Sequence, residues 1–332
     1  MRLVWVLMVG FTALFLLNAQ LYRFDALMVD YGRADAQSWL LWRARTLDES
    51  VARADGGPVA WLIGNSVMRD SFDEDALNTS LAEQGSRWRA VKLASSRGAA
   101  GLAVGLLDHI PLREGDLVFH AVTLDHFRQD WLSVVDLPAD RLARMRTPAE
   151  IVAIEELSWQ SRLEHAVGVP HHFYRHHEPY MAGLEAWFVA LWWLEPPRKA
   201  RPGMHLRYRS TASVADVSAR RAALVGRDPI DAAQLDWRPS QFNHAGIAAM
   251  RQRVDAAGAT LVLVDIPYRR VYRELLVTDA AWAEWRVWRD AQPDLEGFPQ
   301  LDEAQFYDMR HPNTEGRARL TAHLADRFAQ RR

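Results

Sequence analysis

The feature that most constrains the fold is an alternation of short apolar runs with helical segments. Runs at 58–63, 88–94 and 116–122 have the length of strands and are rich in Val, Leu and Ala. Helical patterns at 72–84 and 98–107 separate them, and the second begins in a glycine-rich stretch. Strands that are apolar on both faces and joined by helices are typical of a parallel sheet covered on both sides. The sequence therefore predicts a three-layer α/β domain.

The alternation stops near residue 126 and resumes near residue 242. The segment 126–241 is rich in histidine, aromatic residues, proline and arginine with helical stretches, and we interpret it as a mostly helical insertion. The elements expected after it are a helix at 243–257, a strand at 260–265, a helix at 277–290 and an amphipathic helix at 313–330. The α/β domain is therefore assigned to residues 56–125 and 242–332.

An uncharged apolar run occupies residues 3–22, about the 20 residues that a helix needs to cross the hydrocarbon core. The run is apolar on every face, unlike an amphipathic core helix. We predict a single-pass transmembrane signal anchor at 1–23 and a polar connector at 24–55. The rest of the chain is then expected in the periplasm, outside the inner membrane. A cleaved signal peptide is the alternative, for which Leu17-Asn18-Ala19 is a poor cleavage pattern.

Composition excludes several classes of function. The formal net charge is −2, which gives no reason to expect a nucleic-acid partner. Cysteine is absent, so disulfides, thiolate metal sites and a cysteine nucleophile are excluded. All basic residues except Lys92 and Lys199 are arginines, so clusters of arginine carry little functional weight.

Histidine and tryptophan clusters have ordinary structural interpretations. Four histidines lie close together in a polar segment, with Glu178 as the only evident acidic partner: His171, His172, His176 and His177. We interpret them as surface residues and expect neither a metal nor a cofactor. Trp282, Trp285 and Trp288 share one helical face, which favours a place in the core over a platform for sugars.

Two short motifs carry the candidate chemistry. Leu62-Ile-Gly-Asn-Ser66 ends the first expected strand and leads into a helix, and Asp308-Met-Arg-His-Pro-Asn313 precedes the final helix. Taken alone, a Gly-Asn-Ser turn is common, and the aspartate can simply cap a helix beside a surface histidine. Ligands of parallel α/β sheets bind beyond the carboxyl ends of the strands, which is where Ser66 is expected.

In this order the two motifs resemble the SGNH (GDSL-like) hydrolase family, over roughly residues 56–125 and 242–330. The resemblance implies a flavodoxin-like parallel sheet with a serine nucleophile after the first strand. It assigns Ser66 as nucleophile, His311 as the base that takes its proton and Asp308 as the group that orients the base. Asn65 stands where the family has aspartate, a position that shapes the turn.

The resemblance also implies an oxyanion hole. Ser96-Arg-Gly-Ala-Ala-Gly101 is similar to the family's second block, which places Gly98 and Gly101 at the site and makes Gly101 a backbone donor beside Ser66. Asp125 falls where the family has an asparagine donor, and an ionised carboxylate there would repel an oxyanion. Arg269 follows the strand at 260–265 and is a candidate for holding an anionic substrate.

Membrane-tethered SGNH-like proteins of alginate O-acetylation and teichoic-acid D-alanylation are similar in organisation. This resemblance implies a serine esterase or O-acyltransferase that acts on a cell-envelope carbohydrate polymer through an acyl-Ser66 intermediate. The expected partners are an acylated or acyl-accepting carbohydrate polymer, a membrane protein that donates the acyl group, and membrane lipid. The alternative is a catalytically degenerate SGNH-like scaffold of a polysaccharide- or lipid-modifying complex, in which Asp125 has spoiled the oxyanion hole.

Overall fold

The computed structural model describes residues 56–94, 100–123, 158–168, 241–270, 278–308 and 310–331, together with a few isolated positions between 5 and 13 and between 188 and 192. The chain divides into two compact units, Met1–Trp42 with Val134–Met204 and Arg43–Ser133 with His205–Arg332. The described part of the first unit includes helix α4, Trp159–Gly168. The second unit contains the sheet and the residues of the candidate site.

A five-stranded parallel sheet forms the centre of the second unit. The strands are β1 Val59–Gly64, β2 Arg89–Ala94, β3 Leu117–Val122, β4 Thr260–Asp265 and β5 Leu295–Gly297. Their order is β2-β1-β3-β4-β5, and every neighbouring pair is parallel. This is the flavodoxin-like order, in which the direction of winding reverses between β1 and β3. The predicted parallel α/β fold is confirmed.

Helices cover both faces of this sheet. The helices of the unit are α1 Ser66–Ser71, α2 Glu74–Glu83, α3 Ala100–Ala103, α5 Gln241–Ala256, α6 Asp279–Asp290 and α7 Thr314–Gln330, with 3₁₀ turns at Val104–His109 and Glu303–Gln305. Side chains of α1, α2 and α7 share one buried cluster with Ala60 and Leu62 of β1. Side chains alternate along a strand, so the fully buried Trp61 and Ile63 face the opposite layer, to which α3 and α5 belong.

The elements follow the sequence pattern with two differences. The helix expected at 98–107 is described from residue 100 onward as the single turn α3 followed by a 3₁₀ turn, and Gly246 of α5 packs directly on α3. A Cβ at Gly246 would lie 2.5 Å from the backbone N of Gly101. Strand β5 was not predicted, since its three residues, Leu-Glu-Gly, are half-buried or exposed and form no apolar run.

The predicted anchor at 1–23 and connector at 24–55 lie almost entirely outside the described residues, as does most of the insertion at 126–241. Among the residues that the structure describes, no helix is both long enough and apolar enough to cross a membrane.

Candidate active site

A capped turn at the end of β1 positions Ser66, at the point where the winding of the sheet reverses. Asn65 lies in extended backbone, and its side-chain oxygen accepts hydrogen bonds from the N–H groups of Val67 (2.9 Å) and Met68 (3.4 Å). Its Nδ2 lies 3.5 Å from Oγ1 of Thr123, just after β3. The asparagine thus shapes the turn and begins α1, so that Ser66 is the first helical residue at the carboxyl end of β1.

The carboxyl end of α1 is held by a buried lysine. Lys92 of β2 donates from Nζ to the carbonyl oxygens of Arg69 (3.0 Å) and Phe72 (2.7 Å). A cation at the end of a helix satisfies carbonyls that lack partners within the helix. Burial lowers the pKa of Lys92 to about 8. Helix α1 is therefore fixed at both ends, and Ser66 with it.

A tight turn before α7 presents the second motif. Asp308 Oδ1 accepts hydrogen bonds from the N–H groups of Arg310 and His311, both at 2.8 Å. The N–H of Tyr307 donates to the carbonyl oxygen of His311 at 2.9 Å. Asn313 caps α7 by accepting from its first turn. One carboxylate oxygen of Asp308 is thus used to build the turn, which leaves Oδ2 for the histidine ring.

The two motifs meet in a hydrogen-bonded chain. His311 Nδ1 lies 2.7 Å from Asp308 Oδ2, and His311 Nε2 lies 2.8 Å from Ser66 Oγ, across 245 positions of sequence. An anionic carboxylate accepts only, so it fixes the proton on Nδ1 and leaves the lone pair of Nε2 facing the serine hydroxyl. This is the arrangement of a nucleophile, a base and an orienting acid.

The electrostatics keep Asp308 ionised. Burial is the largest single influence and acts to raise its pKa. The hydrogen bond and charge of His311, together with the N–H groups of Arg310 and His311, outweigh burial and lower the pKa to about 2. The side chain of His311 is 12% exposed, so the chain of hydrogen bonds is largely shielded from water yet reachable from the surface.

The predicted oxyanion donor Gly101 has another partner in the structure. Its N–H donates to Oδ1 of Asn243 at 3.2 Å, in a buried contact. Its predicted role therefore requires exchange of this bond and stays a prediction. The contact made by Asn243, in the first turn of α5, was not predicted. The sequence signal that could have indicated it is a polar residue on the helix face that meets a glycine-rich turn. Gly98 and Asp125 lie outside the described residues.

Arg269, the candidate for holding an anionic substrate, is buried and paired with a carboxylate, so that role requires exchange of this ion pair and stays a prediction. Its side chain is 3% exposed and its Nε donates to Glu303 Oε2 at 2.7 Å. The other oxygen of Glu303 accepts from the N–H of Arg270 at 3.0 Å. These contacts connect the loop after β4 to the segment that leads to Asp308, so Arg269 supports the position of the turn that carries Asp308 and His311.

Known proteins give no further guide to this site. No protein-family model matches the chain, and no curated protein matches it at a significant level. Within the described residues, no group of acidic or histidine side chains has the arrangement of a metal site. The four histidines between 171 and 177 lie outside those residues. The assignment to the SGNH family remains a resemblance carried by the two motifs.

Proposed function

We propose that this protein is a serine esterase or O-acyltransferase of the SGNH type, with Ser66 as its nucleophile. The observation that carries the proposal is the Asp308–His311–Ser66 chain of hydrogen bonds, with distances of 2.7 and 2.8 Å. Its position supports the proposal, because Ser66 follows β1 at the point where the winding of the sheet reverses, and ligands of such sheets bind there.

The residues account for both halves of an acyl transfer. Ser66 Oγ attacks the ester carbonyl carbon while His311 Nε2 accepts the hydroxyl proton, which gives a tetrahedral intermediate with a negative oxygen. The backbone N–H of Ser66, and that of Gly101 after release from Asn243, are the donors assigned to this oxygen. As the carbon–oxygen bond of the leaving alcohol breaks, His311 returns the proton to that alcohol, and the acyl group stays on Ser66.

The second half runs the same steps in reverse with a new acceptor. Water or a sugar hydroxyl attacks the acyl-Ser66 carbonyl, His311 takes the acceptor's proton, and that proton returns to Ser66 Oγ as the acyl–enzyme bond breaks. Water gives an esterase and a sugar hydroxyl gives a transferase. Asp308 stays ionised and stabilises the imidazolium that forms in each half. The substrate expected from the resemblance is a cell-envelope carbohydrate polymer.

A location at the outer face of the inner membrane completes the proposal. The uncharged run at residues 3–22 supports a single-pass anchor, with membrane lipid and an acyl-donating membrane protein as partners. We expect the full chain to sediment with membranes and to resist extraction by high salt. Fractionation followed by N-terminal sequencing tests this, and a soluble mature form that begins near residue 20 would contradict it.

A non-catalytic scaffold is the second candidate. It is favoured by the contact that occupies Gly101 N–H and by the acidic residue at position 125, since both weaken an oxyanion hole. In this case the serine would lack the electrostatic stabilisation that acylation needs.

Labelling of Ser66 by a fluorophosphonate distinguishes the two candidates. We expect stoichiometric phosphonylation of Ser66, located by peptide mass spectrometry, because the probe reacts with a serine whose proton is removed by a base. Ser71 is a matched control in the same helix: its side chain is fully buried and its Oγ lacks a hydrogen-bond partner among the described residues. Ser71→Ala should keep the label and Ser66→Ala should lose it. An unlabelled folded wild type would support the scaffold.

A further inference from the structure

A cavity of about 400 Å³ lies at the carboxyl ends of β4 and β5, on the same edge of the sheet as Ser66. Its volume is in the range of pockets that bind small molecules. The lining residues on which the argument rests are Asp265, Tyr268, Arg270, Trp282, Arg289 and Glu303. They come from the end of β4 and the loop after it, from α6, and from the segment that leads to Asp308. The catalytic steps above use none of them.

Two aromatic rings form one wall of the cavity. Tyr268 and Trp282 meet edge to face, with centroids 6.3 Å apart and an interplanar angle of 89°. Both side chains are only partly buried, so each leaves ring surface at the cavity. Of the three tryptophans on α6, Trp285 is in the core and stacks on Trp288. Trp282 is different, because its ring borders space that a ligand can fill.

Among the described residues that line the cavity, positive and negative charges balance. Arg270 and Arg289 carry two positive charges, and Asp265 and Glu303 carry two negative ones. Arg289 Nη1 lies 3.4 Å from Asp265 Oδ2, and its Nη2 lies 3.1 Å from Asp290 Oδ1. An anionic ligand would find no surplus of positive charge here. A fully apolar ligand would cover charged groups without satisfying them, which is costly.

The cavity lining therefore combines hydrogen-bond donors, the arginines, and acceptors, the carboxylates, with an aromatic wall. Guanidinium groups only donate, and ionised carboxylates only accept, whereas a hydroxyl group does both. Asp265 adds to the acceptors: burial raises its pKa to about 6, against the charge and hydrogen bond of Arg289, so it is mainly ionised at neutral pH. A ring with several hydroxyl groups and an apolar C–H face matches this lining.

The cavity and Ser66 open on the same edge of the sheet. Strands β4 and β5 are two and three positions from β1, and adjacent strands are about 4.8 Å apart, so the cavity lies about 10–14 Å along that edge from the end of β1 that carries Ser66. The Arg269–Glu303 pair connects the cavity wall to the turn that carries His311. One sugar unit cannot occupy both places, whereas a chain of linked units can.

We propose that this cavity is a subsite for a neutral pyranose ring of an oligosaccharide or polysaccharide whose ester lies at Ser66. The inference rests on the proposed acyl-transfer function and extends it, by giving the substrate's chain a second binding point. The uncharged ring stacks on Trp282, and its hydroxyl groups pair with Asp265, Arg289 and Glu303. Substrate recognition then depends on α6 and the loop after β4, apart from the residues that perform the chemistry.

Kinetics on two substrates of different length test the subsite. O-Acetylated xylotetraose is long enough to reach the cavity, and p-nitrophenyl acetate is not. We expect Trp282→Ala to lower the ratio of kcat/KM for the tetraose to that for p-nitrophenyl acetate about tenfold, chiefly through KM; this corresponds to about 1.4 kcal/mol, a size that one aromatic contact can supply. The control is Val287→Ala on the same helix: Val287 is 74% exposed and outside the cavity lining, so the ratio should not change.

A filling variant gives the same test without removing a side chain. Gly297 lines the cavity, and a Cβ added there would meet no atom within 4 Å, so Gly297→Tyr adds volume without a clash at Cβ. It should lower the same ratio at least tenfold. An equal loss on both substrates, or an unchanged ratio in both variants, would overturn the proposal.

Binding separates failure of the subsite from failure of the proposed function. Ser66→Ala protein should bind xylotetraose in calorimetry, and adding Trp282→Ala or Gly297→Tyr should weaken that binding about tenfold. Tetragalacturonate, of the same length but anionic, should bind at least tenfold more weakly than xylotetraose. Tighter binding of the anionic chain would refute the neutral-ring assignment. If wild type turns over neither ester, the acyl-transfer function fails, while this binding series still decides whether the cavity holds a sugar.

Discussion

Replacement of Ser66 by alanine is expected to lower kcat on p-nitrophenyl acetate by about 10⁴–10⁶ and to leave the fold intact. The variant removes only the oxygen that lies 2.8 Å from His311 Nε2. The turn around it depends on Asn65 and on backbone N–H groups, so its hydrogen bonds remain. Measurements of kcat and of thermal unfolding on the same preparation check the loss of activity and the intact fold, respectively.

A double variant shows whether the three residues act as a unit. His311→Ala should cost about as much as Ser66→Ala, and combining them should cost little more, because a base without its nucleophile has no proton to take. Ser71→Ala serves as control and should keep kcat close to that of wild type. If Ser66→Ala retains turnover, the nucleophile is elsewhere, and Ser95 and Ser96 in the glycine-rich segment become the next candidates to replace.

The strands of the sheet were predictable because burial on both faces leaves a strong trace in the sequence. Strand β4 was predicted with its observed bounds, Thr260–Asp265; β1 is shifted by one residue at both ends, and β2 and β3 each begin one residue later than predicted. Strand β5 was not predicted because it lies at the edge of the described sheet, next to β4, and is partly exposed. An exposed edge strand does not require an apolar run of residues. Two helix starts were also predicted within a residue or two: the helices expected at 277–290 and 313–330 begin after the caps Thr278 and Asn313.

The sequence was sufficient to select the candidate residues Ser66, Asp308 and His311 but not to predict the distances between them. Two motifs separated by more than 240 positions meet only because α1 starts at the end of β1 and α7 packs in the same layer. The resemblance supplied that topology in advance. Asn243 could not be assigned, since its contact with Gly101 depends on the close approach of α5 to α3 at Gly246.

Arg269 shows a different limit of the pattern. A position after a parallel strand predicts nearness to the ligand edge, and Arg269 is indeed in the loop after β4. Burial and the ion pair with Glu303 depend on a segment more than 30 residues away, which no local pattern reports. The cavity was not predicted for the same reason. Trp282 shares a helical face with Trp285 and Trp288, which stack on each other, and only the tertiary structure shows that Trp282 borders the cavity.

Asp308→Asn is expected to lower kcat by about 10⁴ while keeping most of the turn. The amide oxygen can still accept from the N–H groups of Arg310 and His311, as Oδ1 does now. The amide nitrogen, in place of Oδ2, is a donor, so it pairs with an unprotonated Nδ1 and moves the ring proton to Nε2. Nε2–H then faces Ser66 Oγ, and the base is lost although every heavy atom stays near its place.

The pKa of Asp308 adds a second readout that separates catalysis from stability. Its folded value of about 2 is below the ordinary 3.8, so ionisation stabilises the fold at any pH above about 4, and this contribution disappears as pH falls through about 2. A shift of this size corresponds to about 2 kcal/mol. Asp308→Asn should therefore unfold more easily than wild type at pH 7, and the difference in unfolding free energy should shrink towards pH 2.

Asp326→Asn is the matched control for this variant, since Asp326 is exposed on α7 away from the turn. It should leave kcat unchanged, and it should not reproduce the change in the pH dependence of unfolding that Asp308→Asn causes between about pH 2 and 4. Because Asp308 remains ionised, wild-type kcat should show no loss from this group between pH 4 and 7, so any acid limb there belongs to another group. A variant with wild-type kcat at pH 7 would show that Asp308 only builds the turn. A large loss of kcat with unchanged stability would mean that the carboxylate orients His311 without holding the loop.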